Sequence, residues 1–370
     1  MEEVNIQIKN NKRMRRKDKH ILKGAVIGAT VTSIADIILQ WVEHRNTNQE
    51  FTWESYNGTR TIKRAAIGGF VGGGIGYVSY QYKINEESNL PFNSDNYLKK
   101  LLTEENLKSD PETLMKVISA RKKIKNWLWK EFELELVHFP EDAGSFFKRT
   151  ALASNFDLDI ILPFKKGSFE SLKKMYYTVY EIIGDEFGQK ANVSKQSKAI
   201  GLSIVHRGEL IHFDIVPGRE INDYKVDQDL NLYVRPDWIW QRGGQFKTNS
   251  KIQKRITVNN PKARAVIKLL KKYKNANGMK IPSTIIEQYT LSALSEKRFG
   301  IHYSETENLL NSMSHISNKI TQNTLIDKAN SNNNLHEKMD YYQRENIAVQ
   351  LIKDVERIEN NPRYIREIFE

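Results

Sequence analysis

The residues best suited to chemistry lie in the stretch 144–162, GSFFKRTALASNFDLDIIL. Asp157 and Asp159 flank Leu158 in a short apolar, β-branched run. Successive strand residues alternate faces, so both carboxylates would point one way while Leu158 and Ile160 point into a core. Two like charges so placed repel each other unless a cation lies between them. That is the chemistry of a divalent-metal site handling triphosphates. Eleven residues separate Ser145 from Asp157. Gly144-Ser145 can form a turn whose backbone N–H groups and hydroxyl hold phosphate oxygens. A third carboxylate comes from Ile211-His-Phe-Asp-Ile-Val-Pro217, where Asp214 sits among β-branched apolar neighbours. An unpaired charge is unfavourable there, and metal binding would rationalise it. His212 falls on the same strand face, but magnesium prefers oxygen, so it reads as a supporting residue rather than a ligand.

These side chains need a sheet to hold them. Residues 158–162, 202–205 and 210–216 read as strands, with Arg207 and Gly208 as the hairpin turn between the last two. Residues 169–186 read as an amphipathic helix. A longer helix is expected from about Pro111 to Val137, with Asp110 as N-cap and Pro111 in its first turn. Its apolar positions Leu114, Val117, Ile124, Trp127 and Leu128 recur near the helical period, and Arg121, Lys122, Lys123 and Lys125 read as a solvated face. From Pro261 onward the pattern is helical over 261–275, 282–297, 304–321 and 335–358, with an Asn-rich loop at 330–334.

Composition bounds the rest. The 370 residues allow about two domains. Lys plus Arg number 57 against 45 Asp plus Glu, a net charge of +12, so a polyanionic partner is expected. Cysteine is absent, which excludes disulfides, thiolate metal sites and a cysteine nucleophile. A hydrophobic fraction of 39% and a charged fraction of 28% are those of a folded protein.

The N-terminal part differs. Residues 9–23 carry eight basic residues and one acid, and two apolar stretches follow, at 21–42 and 65–80. Gly24/Gly28, Gly68/Gly72 and Gly69/Gly73 recur every four residues, which lets helix backbones approach closely. A glycine-rich helical hairpin accounts for both stretches. The second is only 16 residues long and the first contains Asp36, both of which argue against spanning a bilayer. Membrane insertion and a hairpin packed on protein or used in homo-oligomerisation both remain open. In a membrane, the basic flanks would stay on the cytoplasmic side. The expected divisions are 1–83 (basic segment and hairpin), 84–110 (linker), 111–260 (catalytic core) and 261–370 (helical lobe).

Taken together, the motifs resemble the DNA polymerase beta-like nucleotidyltransferase superfamily, whose signature is Gly-Ser, a gap, then Asp-x-Asp. Within it, the chain is similar to the branch of oligoadenylate synthetases, archaeal CCA-adding enzymes and bacterial cyclic-oligonucleotide synthases of antiphage defence. Thr150 completes a Gly-Ser-x4-Thr pattern, and Phe213-Asp-Ile-Val-Pro217 is close to that branch's Asp-Val-Val-Pro. RAVIKLLKKYK at 264–274, IPSTIIE at 281–287 and DKANSNNNL at 327–335 resemble three further motifs. The likeness covers about 110–360. Lys148, Arg149, Tyr273 and Lys328 depart from the usual pattern, which bears on acceptor and product.

The resemblance implies an α+β, bilobal nucleotidyltransferase with a mixed-sheet catalytic core and a helical C-terminal lobe. It implies that Asp157, Asp159 and Asp214 are catalytic and hold Mg²⁺, with Mn²⁺ as an alternative. Gly144, Ser145, Thr150, Lys271 or Lys274, and Ser283 would bind nucleotide, although Ser283 also reads as the N-cap of its helix. Arg149, Lys195 and Lys198 are candidates for an acceptor path. The expected function is template-independent synthesis of an oligonucleotide, cyclic or linear, ribo or deoxyribo, as a defence signal. Its partners would be nucleoside or deoxynucleoside triphosphates (ATP among them) and a membrane effector protein. A cytoplasmic location is expected, with membrane contact through 21–80 left open. Two other classes compete. One is nucleotidyl transfer onto a small molecule, an RNA end or a protein, including Tyr364 of the chain itself as a primer. The other is a nucleotide-sensing binding module.

Overall fold

The structure is a computed structural model of the whole chain. It describes residues 92–236, 243–249, 251–253, 260–296, 302–322 and 324–370, with scattered positions before residue 92. The glycine-rich hairpin expected over 21–80 lies outside the described residues apart from those scattered positions. Among the described residues no helix is long and apolar enough to cross a membrane. The chain divides into two units, a larger one of Asp95–Asn275 and Met279–Glu356 and a smaller one of the chain up to Ser94, Ala276–Gly278 and Arg357–Glu370.

Ser94–Glu104 forms helix α1, with Leu98 and Leu101 buried. The polar run 84–98 with Pro91 reads as part of a linker in the sequence, and the structure corrects this. The burial of these leucines, and the Asp95 carboxylate accepting from Ser304 Oγ (2.9 Å), Thr306 N (2.9 Å) and Thr306 Oγ1 (2.6 Å), make the segment part of the folded body. Helix α2 spans Pro111–Phe132 and starts as expected: the Asp110 side chain accepts from Thr113 N and proline opens the helix. It buries Val117, Ala120, Ile124, Leu128 and Phe132.

The sheet is mixed. Strand β1 (Glu141–Asp142) pairs antiparallel with β2 (Leu158–Phe164), and β2 pairs parallel with β5 (Glu209–Glu220). Strand β5 also pairs antiparallel with β4 (Ile200–His206), which pairs with β3 (Asn192–Lys195). Beyond Pro217, β5 pairs with β6 (Asp229–Val234), and β6 with β7 (Gly244–Asn249). The β4–β5 turn is built as the sequence implied. Arg207 (φ 51°) and Gly208 (φ 83°) are both left-handed, which suits the twist of a two-residue hairpin. A short helix α3 (Gly144–Phe147) connects β1 towards β2, and α4 (Leu172–Phe187) follows β2. The core gathers Leu158, Ile160 and Leu162 of β2, Phe213 and Ile215 of β5, the stripe of α2, and Met175, Tyr176, Val179 and Ile183 of α4. Each fully buried Leu, Ile or Phe contributes about 1.5–3 kcal/mol, so this face of the sheet is firmly fixed. The opposite face is then free to carry polar groups.

A short helix α5 (Tyr224–Asp227) precedes β6. The C-terminal region is helical, with α6 (Pro261–Ala276), α7 (Ser283–Ser295), α8 (Glu305–Lys319), α9 (Tyr341–Asn360) and α10 (Ile365–Phe369). The expected Asn-rich loop is instead strand β9 (Asn330–Asn334), paired with β8 (Ile326–Asp327). Side-chain amides stitch it: Asn333 Nδ2 donates to Asp327 Oδ2 at 3.1 Å, and Asn334 Oδ1 accepts from Leu325 N at 3.0 Å. Tyr273 of α6 donates to Asp354 Oδ2 of α9 at 2.7 Å, which ties those two helices. The architecture is the expected mixed α/β core with a helical C-terminal region.

Candidate active site

Strand register brings the carboxylates together. Asp159 of β2 lies directly opposite Asp214 of β5, because the flanking Leu158–Phe213 and Ile160–Ile215 pairs are locked in the core. A register slip by one residue would bury both acids, so the hydrophobic pattern fixes where they point. Asp157 is exposed and sits one residue before β2 rather than inside the strand. The expected Asp-Leu-Asp alternation is therefore half strand and half loop end.

Burial raises the Asp159 pKa to about 6, and the neighbouring charges of Asp214 and Asp157 add to that, against an opposing pull from Lys148. Asp214 is raised as well, by burial first and by Asp157, while a hydrogen bond from Gln196 pulls the other way. Among the described residues no three acidic or imidazole groups close into a ready-made cage. Asp157 stands ahead of the strand, and Gln196 Nε2 engages Asp214 Oδ1 at 2.7 Å. The donor set nevertheless suits a hard divalent cation. It consists of carboxylate oxygens alone, Asp159 and Asp214 on one sheet face and Asp157 just ahead of it, held where their charges destabilise one another.

The Gly144-Ser145 turn lies against Asp159. Gly144 has φ 62°, and a Cβ built on it would fall inside the Asp159 carboxylate. Glycine is thus demanded by both backbone and space. Gly144, Ser145, Lys148, Thr150, Asp157, Asp159, Lys271, Lys274 and Ser283 all line one cavity of about 310 Å³. Eight of the ten residues expected to bind nucleotide, bind metal or accept a nucleotide therefore share one space. Asp214 does not line it but is joined to it through Asp159.

The basic residues play different parts. Lys271 is buried, with Nζ donating to Thr150 Oγ1 (3.2 Å) and Thr150 O (3.3 Å) and paired with Glu287 Oε1 (3.2 Å). Glu287 Oε2 also holds Lys148 Nζ at 2.5 Å. Burial pushes the Glu287 pKa up, but the two lysines outweigh it and hold it below the usual glutamate value. Thr150 is fully buried in this network. Lys274, one turn further along α6, lines the same cavity and makes no ion pair among the described residues; burial lowers its pKa. Ser283 is the first helical residue of α7. The N-cap is Pro282 with no side-chain cap, so the expected capping role of Ser283 is not the one it has.

Tyr364 lies elsewhere. It belongs to the smaller unit, partly buried, where Arg357 Nη1 donates to its hydroxyl at 2.8 Å and stacks 5.3 Å from its ring. Arg149 lines a different cavity from the carboxylates. Lys195 Nζ sits over Tyr180 (4.4 Å), and Lys198 Nζ over Phe246 (3.2 Å), so aromatic faces occupy both. The Gln196–Asp214 contact had no sequence signal of its own. It follows from the β3–β4 hairpin, whose Gly201 lies opposite Asp214.

No family model matches this sequence, and no curated protein matches it. Solved structures do. The Bradyrhizobium diazoefficiens CD-NTase CdnG in complex with GTP is similar with a TM-score of 0.60 at 13% identity, over 75% of this chain and 95% of that one. Escherichia coli MS115-1 CdnC with ATP gives 0.59 at 15% identity, over 74% of this chain and 97% of that one. The CdnC:HORMA-deltaN complex from the same strain gives 0.55 at 16% identity, over 74% and 96%. With its mixed sheet, its register-paired acids and its helical C-terminal region, this chain has the fold of the CD-NTase nucleotidyltransferases.

Proposed function

We propose that the chain is a nucleotidyltransferase that joins nucleoside triphosphates, without a template, into an oligonucleotide signal of antiphage defence. The observation that carries this is the placement of Asp159, register-paired with Asp214, against the Gly144-Ser145 turn in a cavity that also holds Lys274, which makes no ion pair among the described residues. Carboxylates, a phosphate turn and a free cation are the parts that phosphoryl chemistry requires. The nucleotide complexes of CdnG and CdnC support triphosphates as substrates.

Ser145 and the turn would hold the β- and γ-phosphates, and Lys274 would offset their charge. Glu287 keeps Lys148 and Lys271 in fixed positions on the same wall. Asp157, Asp159 and Asp214 would hold Mg²⁺ or Mn²⁺. The ion, when bound, supplies charge neutralisation and acidifies an acceptor hydroxyl. Gln196 occupies Oδ1 of Asp214 and leaves its other oxygen available. The acceptor oxygen then bonds to the α-phosphorus as pyrophosphate departs.

Incubation of the full chain with the eight NTPs and dNTPs plus Mg²⁺ or Mn²⁺, followed by mass analysis, tests the reading. A soluble oligonucleotide is expected, and its mass separates cyclic from linear products. Asp159→Asn should abolish it while folding is retained. Undiminished incorporation by that variant would overturn the assignment, and an adduct on Tyr364 would replace signal synthesis by self-modification.

A further inference from the structure

A second cavity of about 430 Å³ lies behind the phosphate turn, within the same larger unit. Residues 144–151 form the wall between the two cavities. Gly144, Ser145, Lys148 and Thr150 face the carboxylates, whereas Phe146, Phe147 and Arg149 face the second space. Helix α6 contributes to both sides, with Lys268 lining the second cavity and Lys271, one turn on, the first.

The second cavity is amphipathic. Leu114 and Ile118 of α2 join Phe146 in an apolar lining of the size that small-molecule sites have. Four cations surround it: Lys108, Arg121, Arg149 and Lys268. The one acid, Asp142, is already shared by Arg121 (3.6 Å) and Lys125 (3.2 Å). Lys108 and Arg149 form no ion pair among the described residues, whereas Lys268 donates to the Glu105 carbonyl oxygen at 3.3 Å and burial lowers its pKa. The cavity therefore has positive charge to spare. Asp142 Oδ1 is buried and makes no hydrogen bond among the described residues. A buried, unsatisfied oxygen is costly unless a donor reaches it. Arg121 lies 5.2 Å from the Phe146 ring centroid, so a planar cation and an aromatic face are already assembled there.

We propose that this cavity binds a small ligand of the nucleoside monophosphate class. Its anionic group would meet Lys108, Arg149 and Lys268, and its ring would lie against Phe146 and Ile118. Because residues 144–151 are a shared wall, occupancy sets the position of the phosphate turn and so the rate of nucleotidyl transfer. That second statement rests on the function proposed above; the binding statement does not.

The test uses the full chain in EDTA, with AMP as the probe, followed by calorimetry. Saturable binding is expected, and adenosine and orthophosphate, which lack the anion and the ring respectively, should each bind at least roughly tenfold more weakly. Ile118→Trp, which fills the cavity from a position 41% exposed, and Lys108→Glu should each weaken AMP by roughly tenfold or more. Lys274→Glu in the catalytic cavity should leave AMP affinity unchanged. Absence of AMP binding, or binding lost in Lys274→Glu and kept in Ile118→Trp, overturns the site. In the turnover assay, AMP should change the wild-type rate and leave the rate of Ile118→Trp, compared with its own AMP-free rate, unaffected. An AMP-insensitive wild-type rate despite binding at this cavity overturns the coupling alone.

Discussion

Replacing Gly144 by alanine perturbs the site at its tightest point. Two costs add. At φ 62° an L-residue is disfavoured by about 1–2 kcal/mol relative to glycine. The new methyl also falls inside the Asp159 carboxylate, which would have to withdraw by about 2 Å to restore ordinary contact. A misplacement of about 1 Å at a reacting centre can cost roughly 100-fold in rate, so a loss of at least that size is expected here. The thermal midpoint should fall by several degrees, because the cost of displacing the Asp159 side chain adds to the backbone cost of about 1–2 kcal/mol. Incorporation of labelled nucleotide at saturating triphosphate and a thermal melt measure the two effects separately. Gly167→Ala serves as control: nothing lies within 4 Å of its added Cβ, and both readouts should stay at wild type. If Gly144→Ala retains activity within about threefold of wild type, the turn does not set the position of Asp159 and the geometric argument fails.

Three further outcomes follow from named contacts. Glu287→Gln leaves Lys148 and Lys271 without their shared carboxylate in a buried setting and should cost about 3–5 kcal/mol in urea unfolding, with Lys148→Met in that background restoring part of it. Gln196→Ala frees Asp214 and is expected to lower kcat by roughly tenfold with little change in triphosphate KM; an unchanged kcat would remove Gln196 from the site. The third concerns pH. Burial raises the Glu105 pKa, but hydrogen bonds from Lys272 (2.6 Å) and Ser154 outweigh it and hold it below the ordinary value of 4.5. Its stabilising effect is therefore complete above 4.5 and is lost as pH falls through the folded-state value. The stability gap between wild type and Glu105→Gln in urea titrations should be wide at neutral pH and narrow steadily in acid. A gap independent of pH would contradict the pairing.

The core and the register-paired acids were legible because each depends on a short, local pattern. Alternation around Asp159 and the apolar run around Asp214 needed only the strand period, and Arg207-Gly208 needed only turn chemistry. What escaped depends on partners distant in the chain. Helix α1 carries few apolar residues, and Glu105 just beyond it is fixed by Ser154 and Lys272, which no local window contains. The Asn-rich strand β9 defies strand propensity, since asparagine is a poor strand former, and is held by side-chain amides to Asp327 and Leu325. Ser283 looked like a cap because serine before a helix usually is one; Pro282 takes that position instead. The Gln196–Asp214 contact requires the β3–β4 hairpin to be closed before it can be seen.

Most consequential is the sorting of the positive charge. Composition gives a surplus of +12 and treats every lysine alike. Folding assigns partners. Lys148 and Lys271 are held by Glu287, and Lys272 is held by Glu105. Arg121 and Lys125 share Asp142. A lysine already paired in a buried wall gains little by turning to a phosphate, because it would leave an uncompensated carboxylate behind. Lys274 makes no ion pair among the described residues, so under the proposed function it is the cation on α6 best placed to meet a triphosphate, although Lys271 sits in the same motif. The same reasoning distinguishes the two faces of the 144–151 wall. On the face of the first cavity the acids Asp157, Asp159 and Glu287 accompany the cations, so net attraction for an anion there is expected to depend on a divalent ion. On the opposite face Lys108 and Arg149 have no acid partner among the described residues, so attraction for an anion there requires no metal. Magnesium should therefore strengthen triphosphate binding at the first cavity and leave monophosphate binding at the second unchanged.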